Sequence, residues 1–213
     1  MYRLAPDIHA CLVGETPVLL DAAAGRYLIV RGQTGRHLRA FLKNEPTAPI
    51  CDALVNAGLI ELGPGSYVPA SSVERPTYSH LPDVRLGKGW ALLPFASILL
   101  ALAFARVRRA GFRPLLESLQ HEASRHSKSP RPFIDEARIA ATFELARRLF
   151  PLKDQCLPYS IAITRMMRIF GHQPIMVVGV RLPIGAHCWV QCEHRIVGDI
   201  FENVEPFEPI LVI

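Results

Sequence analysis

Apolar and polar positions change rhythm three times along this chain, and each change marks a different kind of structure. In the first 30 residues, short apolar runs alternate with turn residues. Ala10–Val13, Pro17–Leu20 and Tyr27–Val30 read as three short strands, with Gly14 and the stretch Asp21–Gly25 turning the chain between them. From Gln33 the period lengthens. Leu38, Phe41 and Leu42 share one face, which predicts a helix over 33–43. A second helix is expected to start near Pro49, whose missing N–H and fixed φ suit a first helical turn. Ile50, Leu54 and Val55 give it an apolar side, and Gly58 ends it. Leu59–Leu62 and Ser66–Pro69 then predict a small hairpin around Gly63–Gly65.

Residues 70–88 are mixed in composition, with Pro76, Pro82 and Gly87 followed by Gly89, and read as a linker. The chain is therefore expected to hold a small domain over residues 1–80 and a larger one over 81–213. The larger one opens on helical periods over 91–110, 114–126 and 135–149, broken between Ser127 and Pro132. In the third of these, Ile139, Phe143, Ala146 and Phe150 recur at spacings of three and four and mark a buried face. Trp90–Ala105 is an uncharged run of sixteen residues. A membrane span needs about twenty, and Pro94 interrupts this one, so a buried helix is expected and membrane association is not. Cys156–Phe170 is a fourth helical stretch. After Gly171 the period drops to two: Pro174–Val180, Ala186–Gln191 and Arg195–Ile200 predict an antiparallel sheet. Helices and sheet in separate runs make the class α+β.

Composition narrows the function. Half of the 213 residues are hydrophobic, which is enough for a core and excludes a disordered chain. The net charge of +5 is uneven: residues 1–80 balance, while 85–148 hold twelve basic and five acidic residues. That stretch reads as a solvated helical surface. The small domain resembles a winged helix-turn-helix in its order of elements, but its second helix has no Lys or Arg from Ile50 to Ala57. A helix that reads DNA needs donors for phosphates and bases, so peptide docking at the edge of the small sheet is preferred and nucleic acid is not expected. Five widely spaced cysteines, an odd number, argue for reduced thiols. Asp7 and Glu15 interrupt any signal-peptide-like start, so a cytoplasmic location is expected.

Candidate chemistry lies in the last third. Cys156 would occupy the first turn of its helix, where the positive end of the helix dipole lowers a thiol pKa; Lys153 would add to this. Ser160 lies one turn on, on the same face. On an alternating strand His187 and Trp189 point one way while Cys188 and Val190 point the other. If the next hairpin pairs symmetrically about 193–194, Asp199 falls about opposite His187, where a carboxylate would hold the imidazole tautomer. Cys156, His187 and Asp199 would then form a nucleophile, a base and its orienting group. Each alone is commonplace: a buried cysteine, a polar strand residue, an acid before a loop. A zinc site from His187, Cys188, Cys192 and His194 has suitable ligand types, but His187 and Cys188 face opposite sides. A Cys188–Cys192 disulfide would exceed the normal Cα separation along one strand.

Four segments now carry a resemblance: Lys153-Asp-Gln-Cys156-Leu-Pro-Tyr-Ser160, Gly179-Val-Arg181, Ala186-His187-Cys188-Trp189-Val190 and Gly198-Asp199. Together they resemble the transglutaminase-like B proteins of lasso peptide biosynthesis, a family of cysteine leader peptidases. Its histidine usually sits in a His-Ala-Trp-Val setting; here Cys188 replaces the alanine. The resemblance implies a papain- or transglutaminase-like domain with a helical region, a catalytic helix and an antiparallel sheet. It implies Cys156, His187 and Asp199 as the catalytic set, with Ser160 and Trp189 in support. Residues 1–80, through Leu19-Leu20-Asp21, Gly25-Arg26-Tyr27 and the helix that follows, resemble the leader-peptide recognition element typified by the small pyrroloquinoline quinone biosynthesis protein. That likeness implies leader contacts on the third strand (Arg26, Tyr27, Leu28, Ile29, Val30) and on the last helix of the element (Ile50, Leu54).

The function so implied is thiol-protease removal of a leader from a ribosomally made lasso precursor, in antibiotic-type peptide biosynthesis. The core would then pass to a separate asparagine-synthetase-like cyclase that uses ATP. No bound cofactor or metal is expected; with no GxxxxGK[ST] loop in the chain, any ATP dependence is expected to come through the cyclase. The same three residues would also serve an acyl transferase or ligase, in which an amine replaces water. A non-catalytic precursor-docking protein and a membrane-attached assembly factor are the other readings.

Overall fold

Turn chemistry builds the first sheet. Strands β2 (Ile8–Val13) and β3 (Thr16–Asp21) pair antiparallel from Ile8↔Asp21 to Val13↔Thr16. The two-residue turn between them needs Gly14 at φ +60°, a conformation that side chains disfavour. β4 (Arg26–Ile29) pairs with β3, and the Asp21 carboxylate accepts the Ala24 N–H at 2.9 Å to hold the intervening turn. The sheet runs in the order β2-β3-β4, so β4 is an edge. Two helices follow, α1 (Gly32–Leu42) and α2 (Ala48–Asn56), the latter with proline in its first turn as expected. Gly58, at φ +68°, ends α2: the N–H groups of Gly58 and Leu59 return to the carbonyls of Val55 and Leu54. Ala10, Leu38, Phe41, Cys51, Leu54 and Ile60 form the core of this region.

The expected hairpin near residue 60 takes another form. β5 (Ile60–Leu62) pairs antiparallel with β1 (Tyr2–Leu4), a strand the hydrophobic pattern did not announce because it is three residues long and has Arg3 at its centre. This computed structural model describes residues 1–63, 70–81, 87, 89–125, 134–149 and 155–213. The expected second arm, Ser66–Pro69, therefore lies outside the described residues, as do Pro82, the break at 127–132, Phe150 and Lys153. The chain divides into two compact units. One holds residues 1–73 with 179–186 and 207–211; the other holds 74–178 with 187–206 and 212–213.

The second unit is helical first. A short 3-10 turn, Trp90–Leu92, enters α3 (Leu93–Arg109), and α4 (Phe112–Arg125), α5 (Glu136–Leu149) and α6 (Cys156–Ile169) follow. Ile139, Phe143 and Ala146 of α5 and Ile161, Met166 and Met167 of α6 are buried, as helical spacing requires. The apolar run at α3 departs from expectation. It is buried on one face only, through Ala96, Leu99, Leu100 and Ala103, while Trp90, Ile98 and Leu102 are each more than half exposed. The stretch Trp90–Arg109 is long and apolar enough to cross a membrane by length and composition, yet only 22% of its apolar window is buried. Sixteen uncharged residues supply more apolar surface than one packing face consumes.

A five-stranded sheet completes the chain in the order β10-β7-β8-β9-β6, from β6 (Tyr78–Ser79), β7 (Ile175–Arg181), β8 (Gly185–Cys192), β9 (Arg195–Val197) and β10 (Glu208–Val212). β8 and β9 pair antiparallel as Val190↔Val197, Gln191↔Ile196 and Cys192↔Arg195, symmetric about 193–194. β6 pairs parallel with β9. β9 stops at Val197, three residues short of the expected end, and a four-residue helix, α7 (Phe201–Val204), follows. The architecture is thus an N-terminal strand-and-helix region followed by a mixed α+β core.

Candidate active site

Cys156 is the first residue of α6. The N–H groups of a helix's opening turn have no acceptor within the helix, and the cap residue here, Gln155, supplies no side-chain bond to them. Burial alone would push the Cys156 thiol up. The hydrogen bond and charge of the His187 ring, with the backbone N–H groups of Cys188 and Leu157, outweigh that effect and hold the thiol below its ordinary range. Cys156 is also half-buried, whereas Cys11, Cys51, Cys188 and Cys192 are buried. Burial pushes Cys11 and Cys192 up to about 12 and Cys188 up as well. Against Cys11, Cys188 and Cys192, Cys156 is shifted the opposite way, toward thiolate.

His187 lies on β8, and its Nε2 meets Asp199 Oδ2 at 2.7 Å. With Nε2 so engaged, the bond to Cys156 falls to Nδ1. Burial would favour the neutral ring, but the hydrogen bond and charge of Asp199, together with the Cys156 partner, push His187 up to about 9. A thiolate facing an imidazolium is the charge state these shifts favour.

Asp199 reaches His187 by a route the strand pattern did not contain. It is not on the ladder: β9 has ended, and Gly198 at φ +83° turns the chain. The positive φ favours glycine there, and a Cβ at this position would also come within 2.4 Å of Ile163 Cδ1, which would have to shift. The Asp199 carboxylate is then fixed by three donors. His187 takes Oδ2, while the Ile200 N–H at 2.8 Å and the Asn203 amide at 2.9 Å take Oδ1. Burial would raise its pKa; these three donors outweigh it and lower it. Ser79 Oγ on β6 also donates to the Asp199 backbone carbonyl. Asn203 and Ser79 were not anticipated. A weak sequence signal for Asn203 was its position four residues after Asp199.

The two supporting candidates behave differently from each other. Trp189 is buried and stacks on His187, with ring centroids 6.3 Å apart and planes 20° from parallel. Its indole N–H donates to Gln191 Oε1 at 2.9 Å, which fixes the ring. Ser160 donates to the Cys188 carbonyl at 2.9 Å. It therefore pins α6 to β8 one turn below Cys156 and beside His187. Its hydroxyl positions the two elements and is directed at β8.

The alternative zinc ligands His187, Cys188, Cys192 and His194 do not converge on one point. Cys188 is buried against Ser160, and His187 is engaged by Asp199 and Cys156. The group of possible ligands that converges among the described residues is Glu136, His172 and Cys192, within 4.8 Å of one another. Glu136 there already accepts Arg195 at 2.9 and 3.0 Å and the His80 ring at 3.0 Å, so a guanidinium occupies the carboxylate. His172 Nε2 meets the Ile134 carbonyl at 2.7 Å. The arrangement ties α5 to β9 by charge-assisted bonds.

The candidate leader contacts separate. Arg26 and Leu28 are exposed, and Tyr27, Ile29 and Val30 are half-buried, all on or just after the edge strand β4. Ile50 packs half-buried on the N-terminal core, and Leu54 is wholly inside it. Leu54 is therefore a core residue with no surface to offer a peptide, whereas Val55, expected on the same apolar side of α2, is exposed.

A family model described as the transglutaminase-like superfamily matches residues 98–212. No curated protein and no solved structure matches the chain. The match covers more than half of the sequence and runs from within α3 to the end of β10, across Cys156, His187 and Asp199; the chain belongs to the transglutaminase-like superfamily.

Proposed function

We propose that this chain is a cysteine endopeptidase that removes the leader of a ribosomally made precursor, of the lasso-peptide type, and releases the core to a separate ATP-using cyclase. The observation that carries the reading is the linked set Cys156–His187–Asp199, in which a thiol shifted toward thiolate shares a proton with a ring oriented by a carboxylate. The thiolate attacks the scissile carbonyl carbon, and the carbonyl oxygen takes the negative charge. In this reading the Cys156 N–H, without an acceptor inside the helix, receives it. His187 passes its proton to the departing amine as the C–N bond breaks, leaving a thioester. Neutral His187 then takes a proton from water, the hydroxide adds to the thioester carbon, and the thiolate leaves with the acid product. Asp199 accepts the Nε2–H throughout, so that Nδ1 is the atom that gives up the proton and takes it back. The edge strand β4 supports docking of the leader by strand addition.

The test mixes the full chain with synthetic precursor peptides, with and without a cyclase and ATP, and reads product masses. Leader and free core are the expected products. Cys156→Ala abolishes cleavage and leaves peptide binding nearly unchanged. Cleavage by the alanine variant at the wild-type rate overturns the assignment, and a product joined to an added amine identifies acyl transfer instead.

A further inference from the structure

A cavity of about 360 Å³ opens beside the end of β4, and its lining is cationic. Arg31, Arg36 and Arg39 line it, with apolar wall from Ile29, Val30 and Leu182. Glu15 is the one carboxylate in the lining. It is already held by Lys43 at 2.8 Å and Arg39 at 3.3 Å. Among the described residues, no carboxylate pairs with Arg31 or Arg36. The start of α1 faces the same lining through Arg31 and Gly32; this helix has no acidic residue in its first turn and no side-chain cap. Guanidinium groups and uncapped helix N–H groups thus point to one kind of ligand, an anion with oxygen acceptors.

Strand geometry says how that anion would arrive. The Val30 N–H bonds to the Pro17 carbonyl, and Leu28 stands opposite Leu19. Amides on an antiparallel strand alternate in direction, so Arg26, Leu28 and Val30 turn theirs toward β3, while Ile29 turns its N–H and C=O outward from the sheet edge. A guest strand bonded to Ile29 continues past Val30 to Arg31 at about 3.3 Å per residue. Its side chain one or two positions further on reaches the mouth of the cavity.

We infer that this cavity is a carboxylate-selective subsite, which takes an Asp or Glu side chain of a peptide docked as an added strand on β4. The inference rests on the leader-docking reading and deepens it. Docking by backbone bonds alone is nearly blind to sequence; an arginine-lined cavity at the strand's end supplies register and selectivity.

The probe is a displayed library of random 12-residue peptides, selected on the full chain. Enriched peptides are expected to carry an acidic residue at a fixed distance from an apolar segment. One is synthesised, and its acid is replaced by the matching amide. Fluorescence anisotropy is expected to show the amide peptide binding wild type about tenfold more weakly, and both peptides binding Arg31→Gln/Arg36→Gln with the same reduced affinity. Equal binding of the two peptides to wild type overturns the subsite. Ile29→Pro removes the outward N–H together with one apolar wall side chain; with Ile29→Ala as the control for the lost side chain, it separates that failure from failure of the docking reading. If acid selectivity is absent but Ile29→Pro abolishes binding, the edge stands and the subsite falls. If Ile29→Pro, shown folded by circular dichroism, binds as wild type, or if no peptide is enriched, strand docking falls and the subsite with it. The exposed arginine pair tests the subsite independently should Ile29→Pro fail to fold.

Discussion

The Asn203 amide donates to Asp199 Oδ1 at 2.9 Å, and this leaves Oδ2 for His187 at 2.7 Å. The order of proton-sharing groups therefore runs Asn203, Asp199, His187, Cys156, with Asn203 farthest from any substrate. Asn203→Ala is expected to lower kcat about tenfold with KM nearly unchanged, because a carboxylate held at Oδ1 by the Ile200 N–H alone samples orientations that leave Nε2 unpaired. A residue that only held the fold would not shift the pH at which Cys156 is alkylated. Here the midpoint moves up, since a less well held imidazolium stabilises the thiolate less.

The pH profile follows from two opposed shifts. Cys156 is lowered and His187 is raised to about 9, so the pair titrates together. Alkylation by iodoacetamide is expected to be fast below the ordinary thiol range and to lose its early limb in His187→Ala. Peptidase activity should fall as pH rises through about 9, where the imidazolium needed by the leaving amine is lost. The stability term has the same sign. A ring whose folded pKa is raised adds stability that is full below its unfolded value of 6.5, and this is lost as pH rises through about 9. Midpoints for inactivation and alkylation that fail to move in His187→Ala would separate the two groups.

Glu136 contributes to the acid sensitivity of the fold. Burial would raise its pKa, but His80 and Arg195 outweigh that and push it down to about 2. A depressed carboxylate contributes stability above its unfolded value of 4.5 and loses it as pH falls toward about 2. The full span corresponds to stability on the order of 2–3 kcal/mol. Glu136→Gln should therefore be less stable than wild type in urea at pH 7, and the gap should close between pH 4.5 and about 2. A gap independent of pH would assign the effect to packing.

Local signals made some of this site legible. Cysteine at a helix start, and His187 with Trp189 on one face of a strand, follow from periods of 3.6 and 2 that a few neighbouring residues determine; the rings do stack. What escaped depends on where the chain is redirected. Asn203 matters only because Gly198 diverts the backbone after β9, and Ser79 only because β6 joins that sheet from more than a hundred residues away. The Glu136 network draws on His80, His172 and Arg195, which no spacing links. The outer face of α3 escaped for the opposite reason: an apolar run reads as buried on every side, and nothing local tells that only one face is covered.

Gly198 provides the sharpest test of how Asp199 is delivered. Two separate costs meet at this position, a backbone at φ +83° and a Cβ that would sit 2.4 Å from Ile163 Cδ1. Ile163 Cδ1 is the end of a flexible side chain, so the contact can be relieved, whereas the dihedral cannot. Gly198→Ala is expected to destabilise the fold by about 2 kcal/mol or more and to lower activity further than stability alone accounts for, because Asp199 is displaced from His187. Adding Ile163→Val removes the clashing methyl and leaves the strain. The double variant should regain part of the stability measured by urea denaturation while kcat stays low. Recovery of both together would show that side-chain crowding, and not the turn, holds Asp199 in place.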